Sequence, residues 1–182
     1  MNTKLIGFTG RAGAGKSTAC FLLKDRKVLP GKFTERMRFA GPMKDAMKAL
    51  GLSPREYDGD LKETPCELLC GKTPRFAMQT LGTEWGRQMI DENLWVKNFR
   101  IRAQRVLDGG GNVLVDDVRF ENEVATLKGM GGIIIRIERP GETIAESGHA
   151  SEQQQLAHDH LIVNDSTDLD GFARKLIGVL YQ

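Results

Sequence analysis

Short apolar runs recur along the chain, and each is bounded by glycine, aspartate or proline. They lie at residues 5–8, 113–115, 133–137 and 161–163. The segments that separate them are long enough to form helices, and this alternation is typical of a parallel sheet with crossover helices. A fifth strand is predicted within residues 36–40, where Met37 and Phe39 alternate with arginines. The pattern therefore predicts an α/β fold built on a five-stranded parallel sheet.

Helical periodicity appears in most of the remaining segments. Helices are predicted from Lys16 to about Leu23, at 42–50, at 75–89, at 94–107 and, after a cap at Thr167, in the last stretch of the chain. Residues 53–73 show no regular pattern.

The helix predicted at 75–89 has two different faces. Met78, Leu81, Trp85 and Met89 cluster on one side. That side is expected to pack on the core, and the opposite side, with Arg75, Gln79 and Thr83, is expected to face a cleft. Gly82 is expected to end or distort this helix.

A glycine-rich motif follows the first apolar run at once. Residues 10–17 read Gly-Arg-Ala-Gly-Ala-Gly-Lys-Ser, a complete G-x-x-x-x-G-K-[ST] phosphate-binding loop between a strand and a helix. Its glycines allow a tight turn, so that backbone N–H groups wrap a triphosphate. Lys16 is predicted to bind the β- and γ-phosphates of ATP, and Ser17 to bind Mg²⁺. The predicted ATP-binding residues of this segment are Gly10, Arg11, Ala12, Gly13, Ala14, Gly15, Lys16, Ser17 and Thr18.

An acidic pair, Asp116-Asp117, follows the apolar run at 113–115. Open α/β sheets bind ligands at the carboxyl ends of their strands, so this placement resembles a Walker B site. One carboxylate is expected to hold Mg²⁺ through water, and the other to cap the helix that starts near Arg119. Helix capping alone is the structural alternative.

Composition limits the class of partner. The chain has 182 residues, 40% of them hydrophobic, which suits one domain with a sizeable core. Its 26 basic and 24 acidic residues are spread along the sequence, so no polymeric nucleic acid is expected as a partner. No apolar stretch suggests a membrane span, and three cysteines at undistinguished spacing suit a reducing, cytoplasmic compartment. A metal site at Cys66 and Cys70 is not expected, because no second pair of ligands has zinc-like spacing.

Several further blocks follow one another along the chain. They are Phe39-Ala40-Gly41-Pro42-Met43-Lys44-Asp45-Ala46, Arg75-x-x-Met78-Gln79-x-Leu81-Gly82-Thr83, Asp117-x-Arg119 with Glu123, Arg139-Pro140-Gly141, and His149. In this order, the blocks resemble those of bacteriophage deoxynucleoside monophosphate kinases. The resemblance implies a three-layer P-loop NTPase fold of the nucleoside monophosphate kinase type over residues 1–182. It also implies a mainly helical acceptor-binding region at 41–109 and a lid at 139–156. ATP and Mg²⁺ would serve the donor side, with a deoxynucleoside monophosphate as acceptor.

The resemblance also implies roles for individual residues. Arg75, Gln79 and Arg119 would line the acceptor pocket, with Gln79 as the reader of the base, and Arg139 would arrive on closure of the lid. Lys44 and Thr83 are further acceptor-side candidates, and Asn164 and Asp165 are expected near the adenine by analogy with this topology. This chain has two aspartates where the family has one, and Asp117 is favoured for the metal because it keeps the Asp-x-Arg spacing.

Other interpretations remain open from the sequence. A P-loop kinase of another small acceptor, such as dephospho-coenzyme A or phosphomevalonate, would share the loop and the Asp-x-Arg motif. A nucleotide-gated binding protein would bind ATP without turnover. The resemblance implies a host or bacterial cytoplasm as the location. The sequence leaves a monomer and a homodimer both open.

Overall fold

A computed structural model describes residues 4–140, 156–166 and 168–181. The chain divides into two compact units, one formed by Met1–Arg38 with Phe99–Gln182, the other by Phe39–Asn98. The first unit is thus discontinuous in sequence, and the second is a single stretch.

The first unit contains a five-stranded sheet in which all neighbouring strands are parallel. Its strands are β1 (Leu5–Thr9), β2 (Phe33–Met37), β3 (Gly111–Val115), β4 (Ile133–Glu138) and β5 (His160–Val163), in the order β2-β3-β1-β4-β5. The predicted parallel sheet is confirmed. The carboxyl ends of the strands therefore meet at one edge, where the loop after β1 begins.

The position of the fifth strand differs from the prediction. Instead of residues 36–40, β2 covers Phe33–Met37, which pair in register with Gly111–Val115 of β3. The strand lies at the edge of the sheet and only Met37 is buried, so apolar alternation does not mark its start. As a result Arg36 is the last residue but one of the strand, and Arg38 is the first residue after the strand.

Helices cover both faces of this sheet. Helices α1 (Lys16–Asp25) and α7 (Leu169–Leu180) share a core with β1, into which Phe8 and Phe172 are buried. On the other face lies α6 (Glu121–Gly129), whose Leu127 packs against Gly7 so closely that a Cβ there would lie 2.6 Å from its side chain. Successive residues of a strand point to opposite faces, so the unit has three layers.

The capping residue of α7 is Asp168, whose side chain accepts a hydrogen bond from the backbone N–H of Gly171. The predicted cap, Thr167, lies outside the described residues.

The second unit is helical. It contains α2 (Gly41–Ala49), α3 (Pro54–Tyr57), α4 (Pro74–Thr80), a π-helix (Leu81–Ile90) and the start of α5 (Leu94–Asp108), which continues into the first unit. Its core is formed by Met47, Leu52 and Cys66, with Met78 and Leu81 packed against them. Residues 53–73, for which no pattern was found, hold α3 and two 3₁₀ turns, Asp60–Glu63 and Glu67–Leu69.

The helix predicted at 75–89 changes its hydrogen bonding after Thr80. Its last turn has i→i+5 bonding, since the N–H of Asp91 donates to the carbonyl of Gly86 at 3.0 Å. A π-helix has more residues per turn than an α-helix, so the predicted apolar face does not persist. Met78 and Leu81 face the core as expected, but Trp85 is 44% exposed and Met89 74% exposed, so their predicted burial is wrong.

No helix within residues 4–140, 156–166 and 168–181 is both long and apolar enough to cross a lipid bilayer.

Candidate active site

The loop that joins β1 to α1 has a backbone that glycine alone adopts easily. Gly10 has φ 133° and Gly15 has φ 110°, both in the left-handed half of conformational space. A Cβ on Gly10 would lie 2.2 Å from the carbonyl oxygen of Ile137, and one on Gly15 would lie 2.7 Å from Nδ2 of Asn164. Both glycines are therefore required for the loop to pack against the strand ends beside it.

Two side chains make hydrogen bonds to the backbone of this loop. The ammonium of Lys16 donates to the carbonyls of Gly10 (2.7 Å) and Arg11 (2.5 Å). The side-chain amide of Asn164, just after β5, donates to the carbonyl of Ala14 at 3.0 Å. Asn164, predicted near the adenine, thus contacts the phosphate loop itself.

Asp116, directly after β3, is the centre of a charged cluster. Its side chain is 2% exposed. Its carboxylate accepts from the hydroxyl of Ser17 at 2.5 Å and from the guanidinium of Arg36. Arg38 donates to both of its oxygens, from Nε at 2.9 Å and from Nη2 at 3.2 Å. Arg36 Nη2 also donates to Ser17 Oγ at 2.8 Å, so the four side chains form one network.

Burial raises the pKa of Asp116, but hydrogen bonds from Arg38, Arg36 and Ser17 outweigh this effect and hold the pKa well below its ordinary value. Asp116 is therefore a carboxylate at neutral pH. Its oxygens and the Ser17 hydroxyl form an all-oxygen set of the kind that Mg²⁺ prefers.

Arginines also line the opposite side of the loop, next to β4. A cavity of about 210 Å³ is bounded by Arg11, Arg136, Ile137, Glu138 and Arg139. Within it, Arg136 Nε donates to a carboxylate oxygen of Glu138 at 2.7 Å. The excess of guanidinium groups makes this cavity suited to an anionic ligand.

The remaining predicted residues of the first unit have different surroundings. Arg119 is exposed, and its backbone N–H donates to the buried Glu123 at 2.7 Å, which orders the turn before α6. Asp165 is exposed and forms an ion pair with Lys175. Asp117 is half-buried beside Asp116.

The acceptor-side candidates Lys44, Arg75, Gln79 and Thr83 all lie in the second unit. Lys44 forms an ion pair with Asp58 at 2.5 Å, and Arg75 forms one with Glu63. Gln79 and Thr83 are exposed. Gln79 stands one turn after Arg75 in α4, and Thr83 lies beyond the change to π-helical bonding.

Arg36 and Arg38 were missed by the sequence analysis. Their alternation with Met37 and Phe39 predicts a strand that continues to residue 40. A strand that ends at Met37 instead places both residues at the carboxyl edge of the sheet, where parallel α/β folds bind ligands. The predicted lid extends over 139–156, and apart from Arg139, Pro140 and Leu156 it lies outside the described residues, as does His149.

Groups of three or more histidine, cysteine or carboxylate side chains suited to a metal do not occur in the described part of the chain. Cys66 donates from its thiol to Glu56 at 3.2 Å.

Solved structures with a similar fold include two of the APS kinase CysC from Mycobacterium tuberculosis. A mutant form has a TM-score of 0.55 at 15% identity, with both chains covered completely. The complex with AMPPNP and APS has the same TM-score and identity and covers 99% of this chain and 98% of the other. At this identity the likeness shows the fold, which is that of P-loop kinases.

Sequence relatives define the family. A family model described as "Deoxynucleotide monophosphate kinase" matches residues 73–176. The "Putative deoxynucleotide monophosphate kinase" of Acanthamoeba polyphaga mimivirus is 35% identical over 178 residues, covering 90% of this chain and 89% of the relative. With more than half of the chain matched by the model and most of both sequences aligned, the chain belongs to the deoxynucleotide monophosphate kinase family, whose members are phosphotransferases.

Proposed function

We propose that the protein transfers the γ-phosphoryl group of ATP to a deoxynucleoside monophosphate, with Mg²⁺, and so supplies precursors for DNA synthesis. The observation that carries this proposal is the contact of Ser17, at the end of the phosphate loop, with the buried carboxylate of Asp116. In this proposal, Ser17 and Asp116 belong to one P-loop phosphoryl-transfer site, and their contact supports it.

Ser17 and Asp116 fit a magnesium ion, because they offer only oxygen ligands at the carboxyl edge of the sheet. We infer that they hold it, Asp116 through water. Asp117, which the Asp-x-Arg spacing favours, is the alternative carboxylate. When bound, the ion neutralises charge that develops on the transferring phosphoryl group.

The phosphate loop binds the donor in this proposal. The backbone N–H groups of residues 10–18 surround the phosphates of ATP, and the α1 dipole favours the negative charge. Lys16 exchanges its hydrogen bonds to the loop carbonyls for phosphate oxygens. Arg11 and Arg139 line the cavity beside the loop, where they interact with the donor nucleotide, and Asn164 and Asp165 complete this side.

Acceptor binding is assigned to a second group of side chains. Arg75 and Arg119 bind the phosphate of the monophosphate, Gln79 hydrogen-bonds the base edge, and Lys44 and Thr83 support the acceptor. Lys44 and Arg75 form ion pairs with Asp58 and Glu63, so in this proposal acceptor binding exchanges these pairs for contacts to phosphate.

The chemistry needs no strong base. An oxygen of the dianionic monophosphate forms a bond to the γ-phosphorus, and the bond from that phosphorus to the β–γ bridging oxygen breaks, which releases ADP. No proton is transferred in this step. Catalysis by this site consists of alignment of the two phosphates and stabilisation of charge.

The test is a coupled ADP-release assay with ATP, Mg²⁺ and each deoxy- and ribonucleoside monophosphate in turn. We expect monophosphate-dependent ADP release that the Lys16→Ala variant loses by at least about 10²-fold, because the donor phosphates lose their cation. Lys128→Ala is the matched control, since Lys128 pairs with Asp159 on an exposed surface. It is expected to retain wild-type rates.

Slow ATP hydrolysis that no monophosphate stimulates would contradict the proposal. Dephospho-coenzyme A and phosphomevalonate are then screened as acceptors. Tight ATP binding without turnover on any acceptor would instead indicate a nucleotide-gated binding protein.

A further inference from the structure

The two arginines on Asp116 exceed what a buried carboxylate needs. One bidentate arginine already satisfies both oxygens of an aspartate, and Arg38 makes that contact. Arg36 adds a second guanidinium to the same group. Asp116 is therefore in contact with two guanidinium groups.

Both arginines are accessible from solvent. Whereas the Asp116 side chain is 2% exposed, that of Arg36 is 34% exposed and that of Arg38 is 21% exposed. The carboxylate of Asp116 is thus buried, and the two arginine side chains lie on its solvent-exposed side. An anion can approach the arginines without first reaching Asp116.

The cluster also marks one end of the donor. In P-loop enzymes the hydroxyl that follows the loop lysine holds Mg²⁺ beside the terminal phosphates of the donor, and Ser17 would have this role here. Arg36 Nη2 lies 2.8 Å from that hydroxyl, Ser17 Oγ. The arginine pair therefore lies at the γ-phosphate end, where the acceptor must be in line for transfer.

We propose that Arg36 and Arg38 are catalytic residues that bind the acceptor phosphate and the transferring phosphoryl group, and that Asp116 occupies them when the acceptor is absent. This inference rests on the proposed function and adds two residues to its machinery. The arginines neither take nor give a proton; they exchange contacts with a carboxylate for contacts with phosphate oxygens.

The proposal predicts an unusual effect of Asp116 on the affinity for the acceptor. If Asp116 competes with the acceptor phosphate for the arginines, loss of its charge should strengthen acceptor binding even though it impairs turnover. A purely structural role for the arginines, in which they only neutralise Asp116, predicts no such gain.

The kinetic test uses Arg36→Gln and Arg38→Gln in the full chain. Each is expected to raise KM for the monophosphate by about 10-fold or more and to lower kcat by on the order of 10²-fold, with KM for ATP changed far less. Arg26→Gln is the matched control, because Arg26 also pairs with an aspartate, Asp170, but on an exposed surface.

The binding test needs no turnover. Calorimetric titration measures binding of the most active monophosphate to the nucleotide-free protein in the presence of EDTA. Asp116→Asn is expected to bind it about 10-fold more tightly than the wild type, while Arg36→Gln and Arg38→Gln lose binding. Glu35→Gln is the control for lost negative charge, since Glu35 is exposed and points to the other side of β2 from Arg36.

Equal changes in both KM values for the arginine variants, together with unchanged or weaker monophosphate binding by Asp116→Asn, would overturn the inference. If Asp116→Asn does not fold, the arginine variants decide alone: the inference requires that their KM for the monophosphate rises far more than their KM for ATP. A wild-type protein that no monophosphate activates would refute the proposed function instead, so the two failures are distinct.

Discussion

The three cysteines show how strongly the surroundings of one residue decide its chemistry. Cys20 is fully buried in the core of the first unit, and its pKa is raised far above the ordinary value by burial first and by the nearby charge of Asp116 second. Cys66 is 8% exposed and donates to Glu56. Cys70 is exposed.

We therefore expect Cys70 to react first with a thiol reagent. Because a raised pKa keeps a thiol neutral and the thiolate is the nucleophile, Cys20 should stay unreactive at neutral pH until the protein unfolds. Titration with a chromogenic disulfide should show one fast thiol in the native protein and three in denaturant. Cys70→Ser should remove the fast phase, and a fast phase that survives in this variant would contradict the expectation.

The sequence predicted some residues of the site and missed others. The phosphate loop could be predicted because its motif is contiguous and each residue type has a chemical reason. The contacts of Asp116 could not, since either aspartate after β3 can face Ser17 until the strand register is known. Arg36 and Arg38 were overlooked because the exposed edge strand that carries them has little apolar alternation.

Among the elements, the π-helix at Leu81–Ile90 is the one whose buried residues were predicted least well from helical periodicity. The prediction used about 3.6 residues per turn, and this holds through Met78 and Leu81 but fails once the bonding changes. Trp95 explains how the wide turn is stabilised, because its indole N–H donates to the carbonyl of Gly82 at 2.8 Å. The three inner strands, β1, β3 and β4, were found easily, since buried parallel strands are continuous apolar runs.

Because Gly86 has no side chain, the Trp95 indole can pack against it. Gly86→Ala therefore tests whether this packing stabilises the π-helix. A Cβ at this position would lie 2.6 Å from the Trp95 ring. We expect a loss of about 1–3 kcal/mol in the free energy of unfolding, with a red shift in tryptophan fluorescence as the ring becomes more exposed. Urea denaturation followed by fluorescence and by far-UV circular dichroism measures both effects.

Gly178→Ala is the matched substitution in α7. Because a Cβ at Gly178 meets no atom within 4 Å, the change should stabilise the protein by about 0.5–1 kcal/mol. Equal effects of the two substitutions would show that packing against Trp95 does not maintain the π-helix.

For the whole molecule, the proposed donor residues all lie in the first unit, and the proposed acceptor residues are divided between the two units. The first unit carries the phosphate loop, the Asp116 cluster and Arg119, and the second carries the acceptor candidates of α2 and α4 together with both tryptophans. The strand and helix pattern predicted the α/β class of the first unit. The second unit was harder to predict, because its short helices and 3₁₀ turns between residues 53 and 73 are too brief for a periodic signal.

Donor binding should therefore stabilise the molecule through the loop. A ligand present at about 100 times its dissociation constant adds about 2.7 kcal/mol to the free energy of unfolding. For a chain of this size each kcal/mol raises the melting temperature by about 2–4 °C, so we expect a shift of about 5–10 °C with saturating ATP and Mg²⁺. Circular dichroism melts measure the shift. Lys16→Ala should lose most of it, because its loop lacks the cation proposed to bind the β- and γ-phosphates, while Lys128→Ala should keep it. The same shift in both variants would mean that ATP binds somewhere other than the phosphate loop, and the assignment of the donor site would then be wrong.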